Sequence, residues 1–358
     1  MMIETATTSA PYTHSAASVQ KTMTTVILAL VPATAFNLYL FGWPAVFLFA
    51  VTVGACAAME GLALLISGRR LMPTLGDGSA VLTGWLLAMT LPPWAPWWTG
   101  VLGAVFAILL GKQIFGGLGQ NLFNPAMVAR VALLVSFPVA MTSWVAPHPL
   151  FWTGTPGFLD ALAITFGGQI PDGYSAATAL GLVKTGLSMG QTVSQSVGQL
   201  PDLMDMGLGL RAGSLGETSA LLILGGGLFL IWKKVITWHV PAAMLGTLFV
   251  AATLGHLANP ERFTDGAFQI LSGAAFLGAF FIATDYVTSP VSKTGQLIFG
   301  FGVGLLTWII RSFAGYPEGV AFAVLLMNSL TPIIDQYTRP RRFGRTRRGE
   351  PLAPQGDK

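Results

Sequence analysis

Residues 23–67 read MTTVILALVPATAFNLYLFGWPAVFLFAVTVGACAAMEGLALLIS, with a single charged side chain, Glu60. A helix needs roughly 20 apolar residues to cross a hydrocarbon layer about 30 Å thick. The run is long enough for two such helices, expected near 23–42 and 44–67. A soluble core would not need so long a stretch without charge, so the chain is read as an integral membrane protein.

Working outward, the same pattern recurs along the chain. It has 358 residues, 53% of them hydrophobic and only 9% charged, against about 25% charged in a soluble domain. Its 43 glycines suit closely packed membrane helices. Further helices are expected near 79–92, 97–116 and 122–143, and then near 218–236, 238–258, 267–284, 294–312 and 318–336. The third stops at Pro92-Pro93 and is short enough to be broken or re-entrant. The fold class expected is an all-α polytopic membrane protein of about ten transmembrane helices with one long extracytoplasmic loop. Residues 1–22 form a cytoplasmic N-terminus, 23–143 a first five-helix half, 144–217 the loop, 218–336 a second half and 337–358 a basic cytoplasmic tail. The first 20 residues are polar and the first apolar run is long enough to span, so no cleaved signal peptide is expected.

Charge fixes the sidedness. Seven of the nineteen Lys and Arg lie in the last twenty residues, directly after a hydrophobic helix. Such a tail is a cytoplasmic topology anchor that touches anionic lipid headgroups, rather than a nucleic-acid footprint. Ten spans put both termini on the cytoplasmic side of a bacterial inner membrane. Arg69-Arg70, Lys112, Lys233-Lys234 and Lys293 then all fall at cytoplasmic ends, and the loop 144–217 faces outward. The two halves share a faint similarity: LTGWLLAMTLPP (82–93) with LSGAAFLGAFFIATD (271–285), and KQIFGGLGQNLFNPAMVARVAL (112–133) with RSFAGYPEGVAFAVLLMNSL (311–330). Five spans per half is an odd number, so a repeat of this kind is inverted, and inverted repeats place binding sites at their interface.

The chain has one cysteine, Cys56, which excludes a disulfide framework and a four-cysteine cluster site. Its four histidines, at 14, 148, 239 and 256, are too scattered to grip a metal or haem. No metal ligand set is therefore expected.

Four segments are too polar or glycine-rich for lipid-facing helix. In LGDGSAVLTGWLLAMTLPPWAPWW (75–98), Asp77 can cap a helix start, and the tryptophans suit an interfacial belt. In GGLGQNLFNPAMVAR (116–130), glycines permit close backbone approach, and Gln120, Asn121 and Asn124 offer uncharged amides. Those amides suit a neutral heterocycle such as a flavin or quinone ring, or a partly dehydrated cation; a self-satisfied polar turn is the alternative. Arg130, one turn into the next helix, could snorkel outward or pair with phosphate. In ATDYVTSPVSKTG (283–295), Asp285 ends an apolar span. It and Glu60 are candidate ion-path carboxylates, since an ionisable group at membrane depth is expensive unless paired or hydrated; a structural pair is the alternative for each. The fourth segment, PDGYSAATALGLVKTG (171–186), offers hydroxyls at Ser175, Thr178 and Thr185 among small neighbours, and on its own reads as an ordinary helix start.

Together, DGSAVLTGWLLAMTLPPWAPWW, GKQIFGGLGQNLFNPAMVARVALLVSFP and ATDYVTSPVSKTGQLIFG resemble the RnfD/NqrB family, over about residues 20 to 338. These are membrane subunits of the Rnf and Na⁺-translocating NADH:quinone oxidoreductase complexes. The short N-terminus and compact size are more similar to the RnfD branch than to the longer NqrB branch. The resemblance implies FMN joined by a phosphoester to the threonine of an S/T-G-A-T-like motif, installed by a flavin transferase. Here Thr178 takes the acceptor position, with Asp172, Ser175 and Ala177 in register and Ala176 where glycine is usual. A second, noncovalent flavin (riboflavin) is also implied. The implied function is that of a flavin-containing electron-transfer subunit in an ion-translocating ferredoxin:NAD oxidoreductase, moving Na⁺ or H⁺ beside a flavin-bearing partner subunit. No dinucleotide-binding unit occurs here, so the NAD and ferredoxin sites belong to other subunits. A quinone-reductase subunit of the NqrB type is one alternative, and a channel or transporter without redox chemistry is the other.

Overall fold

The computed structural model describes residues 18–168 and 173–339. It is helical throughout, with one two-stranded ribbon. Helix α1, Val19–Ile66, is two helices joined at a sharp break, where Gly42 takes φ 75° and ψ −166°. That conformation lies outside the helical region and is open to glycine without a Cβ penalty. A short α2 (Leu71–Leu75) leads to α3 (Ser79–Thr90), and α4 (Trp97–Ala104) continues as a π-helix over Val105–Gln113. Next come α5 (Pro125–Ser136), α6 (Pro138–Thr142) and strand β1 (Trp144–Val145).

The long loop is not irregular. It carries α7 (Phe158–Gly167), β2 (Ser175–Ala176), α8 (Ala179–Ser188), α9 (Val193–Val197) and α10 (Leu203–Leu208). Strand β2 pairs antiparallel with β1, Trp144 opposite Ala176 and Val145 opposite Ser175.

The remainder is α11 (Ala220–Trp232), α12 (His239–Ala258), α13 (Gly266–Leu271), α14 (Ala275–Leu277) running into a π-helix over Gly278–Ile282, α15 (Lys293–Phe313) and α16 (Val320–Tyr337). Four of the described helices, α1, α12, α15 and α16, are long and apolar enough to cross a membrane; α3, α5, α7 and α11 are shorter apolar helices. The segment expected as one helix over 122–143 is divided. It starts at Pro125, after the Asn124 cap, and is interrupted at Phe137, where Pro138 opens the next helix. A proline lacks the N–H that would continue the ladder, which favours a helix start.

Helix α1 packs on α3, α4 and α11, α12 lies along α15, and α16 meets α5. Close approach of α15 to α12 depends on Gly300, where an added Cβ would sit 2.7 Å from the Val240 carbonyl oxygen. Small residues at such crossings replace the missing hydrophobic drive between helices in lipid with tight van der Waals packing. The buried core is continuous from α1 through α5 to α15 and α16.

Candidate functional site

The two helical halves meet along a seam where α5 faces α16. Asn124 organises it. Its side-chain oxygen caps α5, accepting from the N–H groups of Ala126 (3.1 Å) and Met127 (3.3 Å). Its backbone N–H donates to Asn328 Oδ1 of α16 (3.1 Å), and its Nδ2 donates to the Ile282 carbonyl (3.4 Å). Asn328 in turn donates to the Thr288 carbonyl. One amide therefore ties the glycine-rich segment to both polar breaks of the second half.

On one side of Asn124 lies a cleft that encloses ≈ 770 Å³, part of it open solvent. That is within the range of roughly 300–1,000 Å³ typical of small-molecule sites. Asn121, Asn124 and Lys112 line it from the first half, and Phe280, Phe281 and Asp285 from the second. Asn121 Nδ2 donates to the Phe123 carbonyl, while the buried Asn121 Oδ1 has no partner among the described residues. An unpaired buried acceptor is costly, so this atom is matched to a donor on a ligand. Gln120 does not join the group: it is exposed and does not line the cleft.

Asp285 is held locally, accepting from Val287 N–H (3.3 Å) and Thr288 Oγ1 (3.2 Å). Glu60 is fully buried on α1 and faces Lys112, whose Nζ donates to both carboxylate oxygens (2.9 and 2.7 Å) and to Ser79 Oγ (2.7 Å). Gln113 Nε2 adds a fourth bond at 2.8 Å. Both oxygens of Glu60 are thus engaged, which makes it one half of a buried ion pair beside the cleft. Lys112, read from sequence as a marker of the cytoplasmic boundary, is its buried partner. Asp77 does cap α3, accepting from Ser79 N–H at 2.7 Å.

The second candidate group lies in the loop. Thr178 is the N-cap of α8, its hydroxyl oxygen accepting from Gly181 N–H at 3.1 Å, and it is 5% exposed. Ser175 and Ala177 are exposed beside it, and Asp172 lies outside the described residues. Ala176 sits in the extended β2 strand, and its φ is not positive, so the backbone there makes no demand for glycine. The first turn of α8 offers backbone N–H groups with no helical partner, and the helix dipole places positive potential at the same point. A phosphoester on the Thr178 oxygen would therefore meet a favourable end. Lys184 anchors the far side of α8, donating to the backbone carbonyls of Arg311 (3.3 Å), Ala314 and Tyr316 (2.9 Å), and burial pushes its pKa down.

Sequence reasoning missed a third group. Arg130 is buried, 6% exposed, rather than snorkelling outward, and its guanidinium lies 5.9 Å from the Trp144 ring. It shares a cavity with Glu217 and Glu318. No sequence signal joins residues so far apart along the chain. His148 and His256 each bond a backbone carbonyl, at 2.9 and 2.7 Å, and no His/Cys/Asp/Glu group among the described residues could hold a metal.

Residues 6–344 match the family described as NQR2, RnfD, RnfE. The RnfD protein of the ion-translocating oxidoreductase complex from Stutzerimonas stutzeri is 53% identical over 336 residues, covering 94% of this chain and 95% of that protein. The protein of the same name from Halorhodospira halophila is 49% identical over 344 residues, 96% of each chain. That from Escherichia coli strain SE11 is 46% identical over 348 residues, 94% of this chain and 97% of its own.

Proposed function

The chain belongs to the NQR2, RnfD, RnfE family, and we propose that it is the membrane subunit that relays electrons through FMN carried on Thr178. The observation that supports this is the place of Thr178 at the start of α8, where free N–H groups and the dipole suit a phosphate. The complex in which it works is an ion-translocating ferredoxin:NAD oxidoreductase of the Rnf type, moving Na⁺ or H⁺. When bound, FMN supplies one- and two-electron chemistry that no side chain of this protein can supply. Thr178 holds it, and the N–H groups of the first turn of α8 position its phosphate. Because Thr178 is 5% exposed, a flavin transferase reaches the hydroxyl before the loop docks or when the start of α8 opens.

A second, noncovalent flavin fits the cleft beside Asn124. Asn121 Oδ1 is an acceptor without a partner among the described residues, and Lys112 and Asp285 supply charge nearby. Electrons pass to or from a flavin-bearing partner subunit. In this reading the chain sits in a bacterial inner membrane, with both termini cytoplasmic and ten spans in two inverted halves. Asp285, which lines the cleft, is the stronger candidate for the ion path, because Glu60 is already engaged by Lys112. Flavin fluorescence at the band of the denatured protein tests this. It should persist in the wild type, expressed with the transferase, and vanish in Thr178→Val. A dark wild-type band would favour a channel or transporter without redox chemistry.

A further inference from the structure

The seam has a second cavity, and its charge is unlike that of the first. Met127, Arg130, Glu217, Ile282 and Glu318 line it, whereas Asn124, Ala126, Phe281 and Asp285 line the flavin cleft. The two spaces lie back to back. Along α5 the lining passes from Ala126 to Met127, and in the second half from Phe281 to Ile282. Only one turn of α5, about 5 Å of helix rise, separates them.

Glu318 is the centre of the second cavity. It lies in the connection between α15 and α16, and its carboxylate lies 3.5 Å from the Arg311 guanidinium with 16% of its side chain exposed. It sits against the unwound stretch between α13 and α14, where Gly273 has φ +63°. A Cβ on Gly273 would overlap the Glu318 carboxylate, so glycine at this break makes the seat for the acid.

The charged groups around it come from every neighbouring element. Arg311 on α15 donates to Gln269 O (2.7 Å), Gln269 Oε1 (3.1 Å) and Ser272 O (3.1 Å). Arg211, in the connection from α10 to α11, donates to Glu217 O (2.8 Å) and Leu271 O (2.6 Å). Glu217 Oε1 accepts from Ser214 Oγ at 2.7 Å. Arg130 on α5 forms no ion pair within 4.0 Å among the described residues, its one polar contact being Met141 Sδ at 4.0 Å. Arg211 Nη1, Arg311 Nε and Ser272 Oγ are buried with no partner among the described residues. The cavity measures ≈ 20 Å³, which is room for a water, since one water needs about 10–15 Å³.

This donor set selects its cation. Three guanidiniums surround two carboxylates, so a metal ion would meet net positive charge. It would also find the carboxylate oxygens already engaged by Arg311 and Ser214. A proton needs no coordination shell and binds a carboxylate directly. We propose that Glu318, with Glu217 and Arg130, is a proton-binding station at the end of the seam remote from the flavin cleft. In the step, a hydronium in the cavity gives its proton to a Glu318 oxygen; one O–H bond forms, one breaks, water remains and no electron moves. The neutral acid no longer attracts Arg311, which then rests on the Gln269 and Ser272 acceptors. Burial and the neighbouring Glu217 raise the Glu318 pKa to about 7 against the pull of Arg311 and Arg130, which fits reversible uptake near neutral pH. The coupling of this station to electron flow rests on the redox reading above; its protonation does not.

The test is infrared difference titration of the intact complex between about pH 5 and pH 9, a window that brackets the free and raised carboxyl ranges. Wild type should show a carboxyl band titrating near neutrality. Glu318→Gln should lose it, and Glu217→Gln should lower its midpoint by about one pH unit or more through loss of a like charge. The Glu217 variant also serves if Glu318→Gln fails to assemble. The proposal is overturned if wild type has no such band, if the band survives in Glu318→Gln, or if Glu217→Gln leaves its midpoint unmoved. Flavin fluorescence read on the same samples reports the redox reading separately, and its absence leaves the titration result to stand alone.

Discussion

Removing the Lys112 ammonium is the sharpest test of the packing in the first half. Lys112→Met keeps most of the side-chain volume but deletes three bonds, two to Glu60 and one to Ser79. The Glu60 carboxylate, fully buried, then keeps only the Gln113 amide. Breaking a buried pair from one side costs about 3–5 kcal/mol, because the remaining charge is uncompensated. Replacing both partners by apolar residues of similar volume is often neutral. The double variant Glu60→Met/Lys112→Met should therefore lie within about 1 kcal/mol of wild type, giving a coupling of about 3 kcal/mol. Denaturant unfolding of the purified chain in micelles, followed by tryptophan fluorescence near pH 8, measures all three. A single-variant loss below about 1 kcal/mol would refute the pairing, as would additive losses in the double variant.

Other outcomes follow from the same contacts. Thr178→Ala removes the α8 cap as well as the flavin acceptor and should cost about 1 kcal/mol, while Thr178→Ser keeps the cap; unfolding in flavin-free cells separates the two effects. Asn124→Leu deletes the α5 cap and the bond to Ile282. It should reduce the flavin released on denaturation while leaving the covalent flavin on the band unchanged. Gly273→Ala forces a left-handed φ on a residue with a Cβ and displaces the Glu318 carboxylate, and should destabilise by at least about 2 kcal/mol in a thermal melt. The raised pKa of Glu318 sets a pH dependence whose sign is fixed. The folded state holds this proton more tightly than the unfolded chain, so the stability it gives is full below pH 4.5 and is lost as pH rises through about 7. Glu318→Gln should flatten that limb of the stability curve.

Much of the fold is legible in the sequence because apolar runs in a membrane are bounded by residues that cannot enter it. The runs at 238–258, 294–312 and 318–336 match α12, α15 and α16 to within two residues at each end. The break after 23–42 falls where Gly42 leaves the helical region. The helices inside the loop are not legible: α8 to α10 bury one small face against Phe268 and its neighbours, a contact set by tertiary packing. Asn121 and Asn124 both line the cleft, but their neighbour Gln120 points elsewhere, since turn geometry rather than residue type decides which amide faces inward. The Glu60–Lys112 pair is invisible for another reason. Its members lie 52 positions apart, and each alone satisfies a simpler reading, one as an ion-path acid and the other as a boundary cation. The Arg130, Glu217 and Glu318 group is likewise a product of the seam, assembled from three elements that no local pattern connects.

Everything proposed for electron transfer depends on FMN at Thr178, which peptide mass spectrometry reads directly in protein made with its flavin transferase. One FMN phosphoester is expected, localised by fragmentation to Thr178 and absent from the Thr178→Val protein. FMN found instead on Ser175 or Thr185, or an unmodified Thr178 in fully matured protein, would contradict that assignment.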